Sequence, residues 1–162
     1  MKAAALWLTV FLAWPATPAL AVDYPDVNEG LWQRHWTTVK DPGEKKSDAT
    51  QSVCRSRALS RQSFEEAHKI PGCTYVKEAL LGSMYTAEIR CELATTRLVT
   101  RSTALIKDTA VHTESVTTYE PAMSGVATES DTVDEKFLGP CPAGMKPGDR
   151  MTAEGTIQHA QP

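Results

Sequence analysis

Cys73 and Cys91 stand at mirror positions about Gly82, nine residues to either side. Within Cys73 to Glu92 (CTYVKEALLGSMYTAEIRCE), two strand-like runs flank Leu81-Gly82-Ser83, whose glycine can take the positive φ of a tight turn. Antiparallel partners across a turn have a constant sum of residue numbers. For a turn centred on Gly82 that sum is 164, which is also the sum for the two cysteines. They are therefore expected opposite each other and, as a non-hydrogen-bonded pair, within disulfide reach. A different loop length would shift the register by one and place them on opposite faces. The four cysteines allow three pairings. Cys73–Cys91 leaves Cys54–Cys141, Cys54–Cys73 would close a loop around a candidate helix, and Cys54–Cys91 with Cys73–Cys141 would require another hairpin.

Whether these thiols oxidise depends on the compartment, and the N-terminus bears on it. Lys2 is the only charge before Asp23. Between them runs an apolar stretch, Ala3 to Trp14 (AAALWLTVFLAW), followed by Pro15, Pro18 and the small-x-small sequence Ala19-Leu20-Ala21. That is the length and punctuation of a secretory signal, too short to span a bilayer. Residues 1–21 are read as a signal peptide cut after Ala21, residues 22–151 as a single β domain and 152–162 as a polar C-terminal tail. An even number of cysteines behind such a leader reads as two disulfides. A four-cysteine zinc site would favour close C-x-x-C pairs, whereas the gaps here are 19, 18 and 50 residues. No second apolar run approaches membrane-spanning length, so no span is expected in the mature chain. Removing Lys2 takes the net charge from −3 to −4, without the basic field that nucleic acid requires.

The secondary-structure signal is β. Threonine occurs 17 times from Thr37 to Thr156, and β-branched side chains suit a pleated, half-buried surface. The first strand is expected over Gly30 to Lys40, with Trp32, Arg34, Trp36 and Thr38 on one face, ended by Asp41-Pro42-Gly43. The charged stretch Glu44 to Asp48 then leads into a second strand over Ala49 to Cys54. Ser60 to Lys69 reads as one short helix, with Ser63 and Glu66 at capping-box spacing and Pro71-Gly72 stopping it. Lys107-Asp108 is expected to turn a second hairpin, pairing Arg101 with Glu114 and Val99 with Val116. From Phe137 the sequence (FLGPCPAGMKPGD) reads as a loop stapled by Cys141. The fold expected is all-β: an antiparallel curved sheet or small barrel or sandwich of about six to eight strands.

An ordered set of features carries a family resemblance. It runs from the leader through Gly30-Leu31-Trp32 opening the first strand and Cys54 before a short helix. Gly72-Cys73, the Gly82-to-Cys91 strand and Leu138-Gly139-Pro140-Cys141 follow. The chain resembles, over nearly its whole mature length, the bacterial exported family known as domain of unknown function 3617. Where that family carries Met/Pro/Gly-rich sequence after the first strand, this chain has Glu44-Lys45-Lys46-Ser47-Asp48. The resemblance implies a periplasmic or extracellular β protein of a Gram-negative bacterium, and no particular activity.

Chemistry-bearing motifs are sparse. His35, His68, His112 and His159 show no ligand spacing, and Ser124-Gly125 is not a nucleophile elbow. The acidic run Glu129 to Glu135 lacks a calcium-loop pattern and reads as a solvated strand face. Trp32 and Trp36 share a face and either line a ligand pocket or form the core of the sheet. No enzyme activity, cofactor, metal or nucleic-acid partner is expected. Two classes of function remain: a binding module for a small or apolar ligand, and a structural or interaction protein of the cell envelope.

Overall fold

The β-branched and aromatic alternation becomes long strands in a computed structural model that describes residues 22, 25–43 and 45–160. The expected signal peptide, 1–21, lies outside the described residues. In chain order the elements are β1 (Gly30–Asp41), β2 (Lys45–Arg55), α1 (Arg57–Ala67), β3 (Cys73–Leu81), β4 (Met84–Glu92), β5 (Arg97–Lys107), β6 (Ala110–Met123), β7 (Val126–Gly139), β8 (Arg150–Met151) and β9 (Ile157–Gln158). All pair antiparallel in one sheet of order β3-β4-β5-β6-β7-β1-β2-β8-β9, whose edges β3 and β9 do not pair with each other. Of the expected forms, the open curved sheet is the one found. Its nine strands exceed the expected number through β8 and β9, which lie where the sequence suggested a loop and a tail.

One face is the inside. Along β6, Val111, Thr113, Ser115, Thr117 and Tyr119 are partly or fully buried, while His112, Glu114, Val116, Thr118 and Glu120 are exposed. Register carries that inner face to Trp32, Arg34 and Trp36 of β1 and to Tyr85, Ala87 and Ile89 of β4. α1 shows how far the sheet curls. Leu59 comes close to Gly148 just before β8, and Phe64 and His68 touch Tyr85 and Tyr75 on β4 and β3. Laid flat, β4 and β8 would be about 29 Å apart at the usual strand spacing. The helix segment from Leu59 to His68 is only about 14 Å long. The sheet therefore bends round α1 with the inner face concave, and the helix bridges the gap that strand pairing leaves open.

Two small apolar clusters back onto the same end of β1. Val27, Trp32 and Val111 pack with Val53, Ile106 and Phe137, and Leu31, Cys54 and Met145 pack with Cys141, Met151 and Ile157. The disulfides are Cys54–Cys141 and Cys73–Cys91. For sequence separations of 87 and 18 they contribute about 4.6 and about 3 kcal/mol through the unfolded chain, which matters for so small a core. At Gly30, φ is +139°, and a Cβ would run into the carbonyl oxygen of Gly139, so the entry to β1 requires glycine.

Several local expectations are corrected. The turn between β3 and β4 is Gly82-Ser83, with Leu81 opposite Met84, and a bulge between Tyr75 and Lys77 shifts the register again before the cysteines. The next turn is Asp108-Thr109, because Lys107 pairs with Ala110; Arg101 then faces Val116, not Glu114. The shift is even, so every side chain keeps its face. β2 begins at Lys45, inside the charged stretch, since that stretch completes the hairpin with β1. α1 begins three residues earlier than expected: Ser56 is its N-cap, accepting from the Leu59 amide at 3.3 Å. Phe137 to Gly139 finish β7, and the described part of the expected tail, 152–160, turns back to pair Ile157 with Met151.

Candidate functional site

Arg34 is an exposed charge on the aromatic inner face of β1, and the buried carboxylate opposite it needs a partner. Glu135 lies directly opposite it on β7. Arg34 Nε donates to Glu135 Oε1 at 2.7 Å, and Arg55 Nη1, from the end of β2, donates to Oε2 at 3.0 Å. Each carboxylate oxygen thus holds one guanidinium, and the Glu135 side chain is only 7% exposed. The Arg55 guanidinium also lies 5.1 Å from the centre of the Trp32 ring. Trp32 itself is fully buried, donates from Nε1 to the Asn28 carbonyl at 2.8 Å, and packs on Phe137 at 5.7 Å between ring centres.

A third arginine reaches the same place from the far side of β2. Arg150 on β8 pairs with Val53, which pairs with Trp32, so all three share the inner face. Its side chain is exposed, and no hydrogen bond or ion pair engages it among the described residues. Over these strands lies α1, contributing Leu59, Ser60, Ser63 and Phe64. Between helix and sheet is a cleft of about 480 Å³, floored by Arg34, Gln51, Val53 and Arg55 and rimmed by Gly148 and Ala160. Its charged residues are three arginines and one glutamate, a net +2 in a chain of net −3.

The roof is pinned at its far end. His68 at the C-cap places Nδ1 2.8 Å from the Phe64 carbonyl and Nε2 2.9 Å from Glu78 Oε1 on β3. The Tyr85 hydroxyl donates to the same Glu78 oxygen at 2.6 Å, and Tyr75 stacks on the His68 ring at 3.9 Å. Burial, then the hydrogen bond to Glu78, raises the Tyr85 hydroxyl far above its ordinary value, so it stays a neutral donor. The rim is fixed by Asp149, which accepts from the Lys146 and Ala160 amides at 2.8 and 3.0 Å and from His159 Nδ1 at 2.9 Å. The backbone amides of Lys146 and Ala160, then His159, hold its carboxyl down at about 2. Behind the rim, Cys54–Cys141 ties the end of β2 to the segment that leads into β8.

Neither tryptophan lines this cleft. Trp32 reaches it only through Arg55, and Trp36, half-buried opposite Ala49 and Val133, lies further along the inner face. The acidic run is dispersed over both faces: Glu129 pairs with Lys40 at 3.2 Å, Asp134 with His112 at 2.7 Å, and Glu135 with the two arginines. No group of three or more His, Cys, Asp or Glu is placed to hold a metal ion among the described residues. Among those residues, no helix is long and apolar enough to cross a membrane. Arg55 and Arg150 were not singled out by sequence, and Glu135, read there as part of a solvated acidic face, is instead buried between two guanidiniums. The one available signal was Arg34 between two tryptophans on a face otherwise suited to burial. Compared with family models, curated proteins and solved structures, the chain matches none.

Proposed function

We propose that this is a non-catalytic binding module of an exported compartment, holding a small, largely apolar ligand in the cleft between α1 and the inner face of β1, β2 and β8. The observation that carries the reading is the cleft itself: about 480 Å³, against the roughly 300 Å³ at which ligand sites begin. Val53, Leu59 and Phe64 offer it an apolar surface beside a few converging polar groups. Its carboxylate, Glu135, is held by two guanidiniums, an arrangement suited to fixing geometry rather than to transferring protons. The two disulfides fit an extracellular or periplasmic protein. The leader Met1 to Ala21 and the resemblance to domain of unknown function 3617 support the periplasm of a Gram-negative bacterium. Native mass spectrometry of protein recovered from the periplasm tests this. A small-molecule adduct lost on denaturation is expected. Ligand-free protein that also takes up no member of an apolar compound library would defeat the reading.

A second reading, an interaction protein of the cell envelope, is favoured by one observation. Leu81, Met84 and Leu105 are neighbours across β3, β4 and β5 on the outer face and are 71%, 43% and 42% exposed. A stable partner in a pull-down, lost when Leu81 and Met84 become serine while the cleft stays empty, would favour it.

A further inference from the structure

We infer that the ligand of this cleft carries an acid group, a carboxylate or phosphate, seated between Arg34 and Arg150 with its apolar part under Leu59 and Phe64. The inference rests on the cleft being the binding site and adds the chemistry of what it takes. A guanidinium has five N–H donors, and Arg34 spends Nε on Glu135. Its two terminal nitrogens make no further hydrogen bond among the described residues. Arg150, two strands away on the same face, has all its donors available. At the usual strand spacing the two lie about 10 Å apart across the sheet and, two residues out of line, about 7 Å along it. That is about 12 Å in all, within the combined reach of two long side chains converging on one oxyanion.

The charge balance points the same way. Both Glu135 oxygens are occupied, and among the described residues no carboxylate meets Arg150 or the terminal nitrogens of Arg34. Planar, bidentate donors of this kind match carboxylate and phosphate oxygens better than they match a neutral hydroxyl. On the opposite wall the helix presents Leu59 and Phe64, with the Ser60 and Ser63 hydroxyls between cation and apolar ends. One polar end and one apolar end describe an amphipathic acid.

Isothermal titration of the disulfide-bonded protein with four ten-carbon probes decides the matter: decanoate, decyl phosphate, decanol and decylammonium. Decanoate or decyl phosphate should bind at least tenfold more tightly than decanol, and the comparison of the two acids shows which oxyanion fits. Arg150→Gln, at an exposed residue with no bond to lose, should weaken the preferred acid by roughly tenfold and leave decanol unchanged. Arg150→Lys should recover part of that loss. Equal binding of decanol and the acids, preference for decylammonium, or an unaltered Arg150→Gln would overturn the acid-group inference while leaving an apolar site standing. No binding by any of the four would remove the site and the inference together.

Discussion

Cys73 and Cys91 face each other across β3 and β4 although the turn between them is one residue out of step with that pairing. With Gly82-Ser83 as a two-residue turn, Leu81 pairs with Met84, and an unbroken ladder would put Cys73 opposite Glu92. The bulge between Tyr75 and Lys77 inserts one residue into β3 and restores the match. Deleting Val76 should therefore turn β3 and β4 into an unbroken ladder that still sets Cys73 opposite Cys91, with the disulfide intact by alkylation and intact mass. Free thiols in the deleted protein would mean that the extra residue of β3 is not what offsets the turn.

Replacing both Cys73 and Cys91 by serine should cost about 3 kcal/mol through loop entropy, or about 6–12 °C in melting temperature for a domain of this size. The effect should be confined to stability, because the bond lies outside the cleft. Calorimetry with a parallel binding titration checks both halves.

The hairpin also shows how much of the fold could be read from the chain. Alternation in β1 and the presence of one helix follow from local pattern, because period and turn residues act over a few positions. The cysteine pairing is the expected one, but through a turn and a bulge that offset each other and, for Cys54–Cys141, by elimination. Register did not follow in full. A bulge such as that at Val76 and the choice of Asp108-Thr109 over Lys107-Asp108 depend on cross-strand and inter-segment contacts, including Asn28 donating to the Asp108 carbonyl. The cleft was less legible still. Glu135 and Arg34 are 101 positions apart, and only the β1–β7 pairing brings them together. The sequence marked Arg34 as a charge on an aromatic face but not what answers it.

Gly30→Ala should destabilise the protein by roughly 2–4 kcal/mol, because the added Cβ meets a carbonyl oxygen at a positive φ. Gly43→Ala, also at positive φ but with open space around it, should cost less. Denaturant midpoints of the two variants give the comparison, and equal losses would mean that the contact with Gly139 is not the cause.

Asp149 sets an acid dependence. Its folded value, about 2, lies below the ordinary 3.8, so its stabilising contribution is present above the ordinary value and is lost as pH falls towards 2. Asp149→Asn should flatten the stability profile in that window and make the 152–160 segment more open to proteolysis. His112 works in the other direction. Its hydrogen bond to Asp134 is the largest cause raising its value above 6.5, so its contribution is present at lower pH and fades as pH rises through the raised value. An NMR titration should show the His112 midpoint fall in Asp134→Asn.

The most direct test of the cleft as a binding site is ¹H–¹⁵N shift mapping of the labelled protein with decanoate and with decanol. Perturbations should concentrate at Val53, Leu59, Ser60, Ser63, Phe64 and Gly148 and leave Leu81, Met84 and Leu105 unmoved. Saturable shifts at Leu81, Met84 and Leu105 with α1 undisturbed, or no shifts at all, would contradict it.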